Sequence, residues 1–267
     1  MEVGTQLLLL AAAMALVMSL GWMWQRRHCN AGIVDVLWSL GLGCGACWVA
    51  STGNGAPAPR LVLAILGSGW ALRLAIHVGR RVIGEPEDGR YRYLRLHWNT
   101  GTQWKFFAFF QAQALLVVLF ALPFAAAARN PTRELTPSLY VAVLIWIVSV
   151  VGESVADAQL QRFRQNPLHR GRTCRTGLWR YSRHPNYFFE WLHWFTYVSL
   201  AWRSPLVGLA LTGPVLMYVF LRWISGIPYT EAQGLRTRGE DYREYQRTTP
   251  MLFPWFPKSG PSSRNAP

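Results

Sequence analysis

Apolar residues gather into seven long runs, 7–20, 33–50, 61–76, 106–128, 139–151, 187–202 and 206–224, with polar or basic stretches between them. A bilayer needs about 20 mostly apolar residues per helix, and shorter runs suffice when helices tilt or bundle. Each run therefore predicts a membrane-crossing helix. Runs six and seven are parted only by Arg203, Ser204 and Pro205. The first run has no small-residue cleavage site and is followed by further spans, so it is expected to be a retained helix and not a signal peptide. The pattern predicts an all-α, polytopic membrane protein built as a seven-transmembrane-helix bundle.

Composition points the same way: 15% of residues are charged, 51% are hydrophobic and 14 are tryptophan. A net charge of +14 first suggests nucleic acid, but its distribution argues otherwise. If seven helices alternate sides, one face collects only Arg60, Arg129, Arg133 and Arg203, and nearly every other basic residue falls on the opposite face. That asymmetry follows the positive-inside rule, so the amino terminus is expected outside and the carboxyl terminus in the cytoplasm of a bacterial inner membrane. Many of these arginines need do no more than set topology and attract anionic lipid. The partners expected are thus the membrane and an apolar small-molecule or lipid substrate; neither nucleic acid nor a protein partner is indicated. Cys29 and Cys174 fall on the cytoplasmic side, where thiols stay reduced. Cys44 and Cys47 form a C-x-x-C inside an apolar helix with Gly41, Gly43 and Gly45, which reads as small-residue helix packing and not as a metal site.

No repeat and no domain-length linker interrupts the chain, so one membrane domain is expected over 1–267, with 259–267 a flexible tail rich in proline and serine. Three cytoplasmic segments, 79–105, 157–184 and 226–267, mix arginine, tyrosine and carboxylates, and chemistry is expected there. Pro254 and Pro257 around Trp255 and Phe256 suggest a tail that returns to the membrane interface, where aromatic residues settle.

Ionisable residues inside spans cost roughly 2.5–3.5 kcal/mol each on insertion scales, so each asks for a reason. Glu153, Asp157 and Arg164 lie along one stripe at the end of the fifth span, by the helical rotation of about 100° per residue. Pro185 suits a first helical turn, and Asn186 and Glu190 then share a face behind Tyr181, Arg183 and His184. Arg73, His77, Arg80 and Arg81 close the third span, and Asp35 stands early in the second, where it could also serve as a cap. The tail carries Glu231, Arg236, Arg238, Glu240, Asp241, Tyr242 and Tyr245. Dinucleotide, Walker, zincin and nucleophile-elbow motifs are all absent from the sequence, so any nucleotide would be held by arginines, tyrosines and carboxylates at helix ends.

The stretches TGLWRYSRHPNYFFEW (176–191) and GEDYREYQRTTPMLFPWFP (239–257) resemble the DUF1295 proteins, which are similar to the carboxyl-terminal domain of steroid 5-alpha-reductases. The resemblance spans about 30–258 and is strongest after Glu153. It implies seven membrane helices with cytoplasmic cofactor-binding loops, and an oxidoreductase that uses NADPH. Carried over by position, it implies cofactor contacts at Glu153, where the reductases have asparagine, and at Asp157, Arg164, Tyr181, Asn186, Glu190, Asp241 and Tyr242; Arg183 and His184, just ahead of Asn186, are expected to join them. Glu231 matches more loosely, and Arg222 is the nearest counterpart of an arginine at the end of the seventh span. By position, Asp35 and His77 would take the catalytic roles, with Tyr91 and Tyr93 as alternative proton donors; no metal is expected.

The reaction implied is hydride transfer to the β-carbon of an apolar enone while a proton donor polarises its carbonyl. The R-H-P-x-Y turn and EDYREYQRTTP also resemble isoprenylcysteine carboxyl methyltransferases, which would bind S-adenosylmethionine instead. Asn186 with Glu190, and the surrounding arginines, favour the phosphate-bearing cofactor. A non-catalytic lipid-binding protein is the third alternative.

Overall fold

The computed structural model describes residues 1–98 and 100–258, so the tail expected over 259–267 lies outside the described residues. All regular structure among the described residues is helical. The helices in chain order are α1 (Val3–His28), α2 (Ile33–Thr52), α3 (Pro57–Gly84), α4 (Gly89–His97), α5 (Thr102–Phe120), α6 (Leu122–Ala127) and α7 (Pro137–Gln165). They continue with α8 (Pro185–His193), α9 (Phe195–Leu200), α10 (Val207–Ala210), α11 (Thr212–Val219), α12 (Ile227–Arg238) and α13 (Glu240–Thr248).

Six helical stretches are long and apolar enough to cross a membrane: Val3–His28, Ile33–Thr52, Pro57–Gly84, Thr102–Ala127, Pro137–Gln165 and Val207–Arg238. The chain is an integral membrane protein. The first five expected spans each fall within one of these stretches or overlap it. The sixth does not form one long helix: 185–200 divides into α8 and α9 at Trp194, whose N–H turns back to the Trp191 carbonyl at 3.2 Å. The seventh is likewise segmented, running through α10, α11 and a wide π turn at Phe220–Ile224 before α12. Pro123, which has no N–H to give, lies just past the joint between α5 and α6.

The described chain divides into two compact units, Met1–Val143 with Tyr197–Gly213, and Leu144–Thr196 with 214–258. In the first unit α2 packs on α3 through small residues, because a Cβ on Gly67 would stand 2.6 Å from Ala46 Cβ and one on Gly43 2.9 Å from Ala71 Cβ. Lipid offers helices no hydrophobic incentive to associate, so such close backbone approach and interhelical hydrogen bonds hold a bundle. Both are present. Arg129 donates to Gln6 Oε1 at 3.1 Å and to the Met1 carbonyl at 2.9 Å, and buried Asn130 donates to the Leu200 carbonyl at 2.7 Å. Cys44 and Cys47 are exposed free thiols, and Cys47 Sγ lies 4.0 Å from the Ala64 carbonyl oxygen on α3.

In the second unit the end of α7 receives the 177–184 loop. The Trp179 indole N–H donates to the Ala156 carbonyl and the Leu178 N–H to Gln159 Oε1, each at 2.9 Å. Residues 249–258 strap the other side of that loop: Arg183 N–H donates to the Pro250 carbonyl, Trp255 N–H to the Tyr181 carbonyl, and Ser182 Oγ to the Leu252 carbonyl. Tyr245, fully buried, donates its hydroxyl into the same turn at the Trp179 carbonyl.

Candidate functional site

Pro185 opens α8, fixing φ where the missing N–H costs nothing, and so sets Asn186 in its first turn. The Asn186 amide donates to Asp157 Oδ1 on α7 at 3.2 Å, while its own Oδ1 accepts from Tyr187 N–H at 3.0 Å. Two residues 29 positions apart, each singled out in the sequence, thus meet. Tyr187 extends the contact toward α12, its hydroxyl lying 3.1 Å from Thr230 Oγ1 and its ring stacked on His184 with centroids 5.3 Å apart.

Next along α12, Glu231 is the hub. Its Oε1 accepts from Arg183 Nε at 2.7 Å and lies 3.2 Å from His184 Nε2, and its Oε2 accepts from Gln246 at 2.9 Å. Arg183 also donates to the carbonyls of Gln246 and Thr249, both at 2.8 Å. This arginine is therefore occupied in holding α12, α13 and the loop together. Burial holds the His184 imidazole below its ordinary pKa, with the Glu231 carboxylate opposing that shift. Burial likewise pushes the Tyr242 phenol up to about 12.

The elbow between α12 and α13 turns at Gly239, with φ +54°. Beside it the Arg238 guanidinium lies over the Tyr242 ring, 4.6 Å from its centroid. Asp241 Oδ1 pairs with Arg175 at 3.1 Å. Arg238 Nε and Asp241 Oδ2 are buried yet meet no hydrogen-bond partner among the described residues. A buried donor or acceptor left unsatisfied costs about 1–3 kcal/mol, so each of these two atoms is open to a further partner.

The remaining cofactor candidates are spread more widely. Glu153 on α7 and Glu190 on α8 are buried, Arg164 is exposed on the last turn of α7, and Tyr181 turns its ring edge-on to Phe256. Arg222 sits in the π turn against the Trp223 ring.

A second polar cluster belongs to the first unit. Asp35 Oδ1 accepts from the Tyr91 hydroxyl at 2.7 Å, and Asp35 Oδ2 accepts from Arg90 at 3.3 Å. Asp88 caps α4 by accepting from Arg90 N–H, and also pairs with the Arg90 and Arg81 side chains. This cap orients α4 so that Tyr91 is buried while Tyr93 is exposed. Burial, reinforced by the Asp35 charge, holds the Tyr91 phenol well above its ordinary pKa. His77, the expected partner of Asp35, is exposed on α3 and makes no contact with it; the tyrosine stands in the place the imidazole was expected to take.

Sequence reasoning did not single out Tyr187, Thr230, Gln246 or Arg90. Tyr187 had a signal, since it directly follows Pro185-Asn186, but an aromatic residue in an aromatic run is inconspicuous. No group of three or more His, Cys, Asp or Glu residues suited to a metal occurs among the described residues.

Fold and clusters together define a polytopic, all-helical membrane protein with buried polar networks at helix ends. The chain belongs to the DUF1295 family, whose family model, described as "Protein of unknown function (DUF1295)", matches residues 21–249. Comparisons with curated proteins and with solved structures give no match.

Proposed function

We propose that the protein is a membrane reductase that saturates the carbon–carbon double bond of an apolar enone with NADPH as reductant. The observation that carries this reading is the part-buried hydrogen bond between Tyr91 and Asp35. The phenol's one proton rests on Asp35 Oδ1, and in the reaction it would turn from that acceptor to a carbonyl oxygen that gains negative charge. Asp35 orients the phenol, and Arg90 balances the carboxylate.

NADPH, when bound, supplies the hydride, which adds to the β-carbon. Tyr91 gives its proton to the carbonyl oxygen, the resulting enol tautomerises to the saturated ketone, and water reprotonates the phenolate. The second unit would hold the cofactor. Asp157 and Asn186 offer an acceptor and an amide for hydroxyl and carboxamide groups, and Arg238 Nε offers an unsatisfied donor for phosphate. Glu153, Arg164, Tyr181, Glu190 and Tyr242 would complete the pocket. Arg183, His184 and Glu231 would act as its scaffold, because their polar atoms already bond to one another.

The same reading takes α8 and α9 as a seventh crossing despite the break at Trp194. The amino terminus then lies outside a bacterial inner membrane, with the basic loops and the cofactor in the cytoplasm. The test is thermal unfolding of the purified protein with NADPH and, separately, with S-adenosylmethionine. NADPH at about 100 times its Kd stabilises the folded state by about 2.7 kcal/mol. Stabilisation by S-adenosylmethionine alone would replace reduction with methyl transfer. NADPH binding without enone-dependent loss of its absorbance at any tested substrate would leave a non-catalytic lipid-binding protein.

A further inference from the structure

On the outward face of α7 the second unit carries an apolar groove of about 390 Å³, lined by residues that include Val148, Val151, Gly152, Val155, Leu178 and Phe189 and presenting no polar surface. Its floor exists because residue 152 has no side chain: a Cβ there would stand 2.4 Å from the Phe189 ring. Phe189 leans on bare backbone and leaves a trough beside it. Val151 is 55% exposed, so the trough is open from the side. From residue 147 to 155 it runs about 12 Å along the helix, long enough for part of an extended hydrocarbon chain.

Two arginines follow the lining residues in sequence, Arg162 on α7 and Arg180 after Leu178, the latter with its guanidinium 6.0 Å from the Tyr181 ring centroid. Helical rotation of about 100° per residue returns Arg162 to the face of Val148 and Val155, two turns beyond the last lining residue of α7. Gln159, between them, fixes the loop by accepting from Leu178 N–H, and Arg180 follows two residues later. Arg162 and Arg180 are exposed, and neither pairs with a carboxylate among the described residues. No acidic residue occurs between Asp157 and Glu190. An apolar trough on a membrane span, with two exposed and unneutralised arginines on the segments that lead away from it, matches an amphiphile with an anionic head.

We propose that this groove is a specific site for an anionic phospholipid, one acyl chain lying over Gly152 beside Phe189 and the phosphate met by Arg162 and Arg180. The inference does not rest on the reductase reading. Its test is native mass spectrometry of the purified full chain, released from detergent after incubation with an equimolar mixture of phosphatidylglycerol and phosphatidylcholine. The wild type is expected to retain phosphatidylglycerol in preference. Val151→Trp and Ile147→Trp, both at exposed positions, fill the trough and should lose the retained lipid, whereas Leu61→Trp on an exposed position of the first unit should keep it. Arg162→Gln with Arg180→Gln should retain lipid but lose the preference. Equal retention in the Val151→Trp and Ile147→Trp variants and the wild type, or no headgroup preference in the wild type, would overturn the proposal.

Discussion

Removing Glu231 should destabilise the second unit by an amount that its bonding geometry lets one anticipate. Glu231→Ala deletes the acceptor of a 2.7 Å bond from Arg183, a 3.2 Å contact with His184 and a 2.9 Å bond from Gln246. The side chains of the pair are 11% and 17% exposed, so the guanidinium left behind is largely cut off from water. Breaking one side of a buried ion pair costs about 3–5 kcal/mol, and residual exposure puts this case near about 3. For a chain of this size that corresponds to a drop in Tm of about 10 °C. Glu231→Gln keeps an oxygen for Arg183 and loses chiefly the charge, so its cost should be about 1 kcal/mol. Arg183→Leu should cost more than Glu231→Ala, since it also strands the Gln246 and Thr249 carbonyls. The double variant Arg183→Leu/Glu231→Ala should fall short of the summed single losses by about 2 kcal/mol, the coupling of groups in direct contact. Unfolding of the detergent-solubilised protein followed by tryptophan fluorescence at a fixed scan rate reads all four. A Glu231→Ala midpoint within about 2 °C of wild type, or strict additivity in the double variant, would refute the assignment of this cluster as scaffold.

If Tyr91 is the proton donor, Tyr91→Phe and Asp35→Asn should each lower NADPH-dependent enone reduction by about 100-fold or more while leaving NADPH stabilisation intact, and exposed His77→Ala should change neither. Asp157→Ala and Asn186→Ala should instead abolish the NADPH-induced rise in Tm, measured in the same unfolding assay. His184 has a depressed pKa in the folded chain, so below about pH 6.5 the unfolded chain takes up a proton that the folded one refuses. Stability should fall as pH drops from 7 to 5, and His184→Gln should flatten that fall in a Tm–pH profile. Gly177 has φ +59° and would place a Cβ 2.5 Å from the Gln159 side chain, so Gly177→Ala should cost about 1–3 kcal/mol and loosen the turn that carries Tyr181 and Arg183.

The first five spans were legible because each apolar run ends at a residue that cannot stay in lipid or continue a helix: the basic pair Arg26-Arg27, Pro57, or the Glu153–Asp157 stripe. The breaks at Trp194 and in the π turn at 220–224 were not legible, since neither coincides with a proline or, at Trp194, with a charge. In the site, Asp157 and Asn186 could be named separately because each is a polar residue at the mouth of a span. Their meeting depends on how α8 lies against α7, which periodicity does not encode. The harder case is the arginines. Along a sequence Arg183 and Arg238 look alike, both basic and both in polar segments at helix ends, and both were open to the role of phosphate ligand. Only the acceptors around them separate the two. Arg183 meets a carboxylate and two carbonyls of its own chain, whereas Arg238 keeps a buried Nε with no acceptor. The same division runs through the protein: Arg90, Arg95 and Arg175 are matched by Asp35, Glu87 and Asp241, and so hold helices in place. An internal carboxylate neutralises its arginine and leaves little attraction for an outside anion. Arg238 at the elbow and Arg162 and Arg180 near the groove are among the cations without one, and on the two proposals they are where phosphate should bind, so that fold and ligand would draw on different arginines.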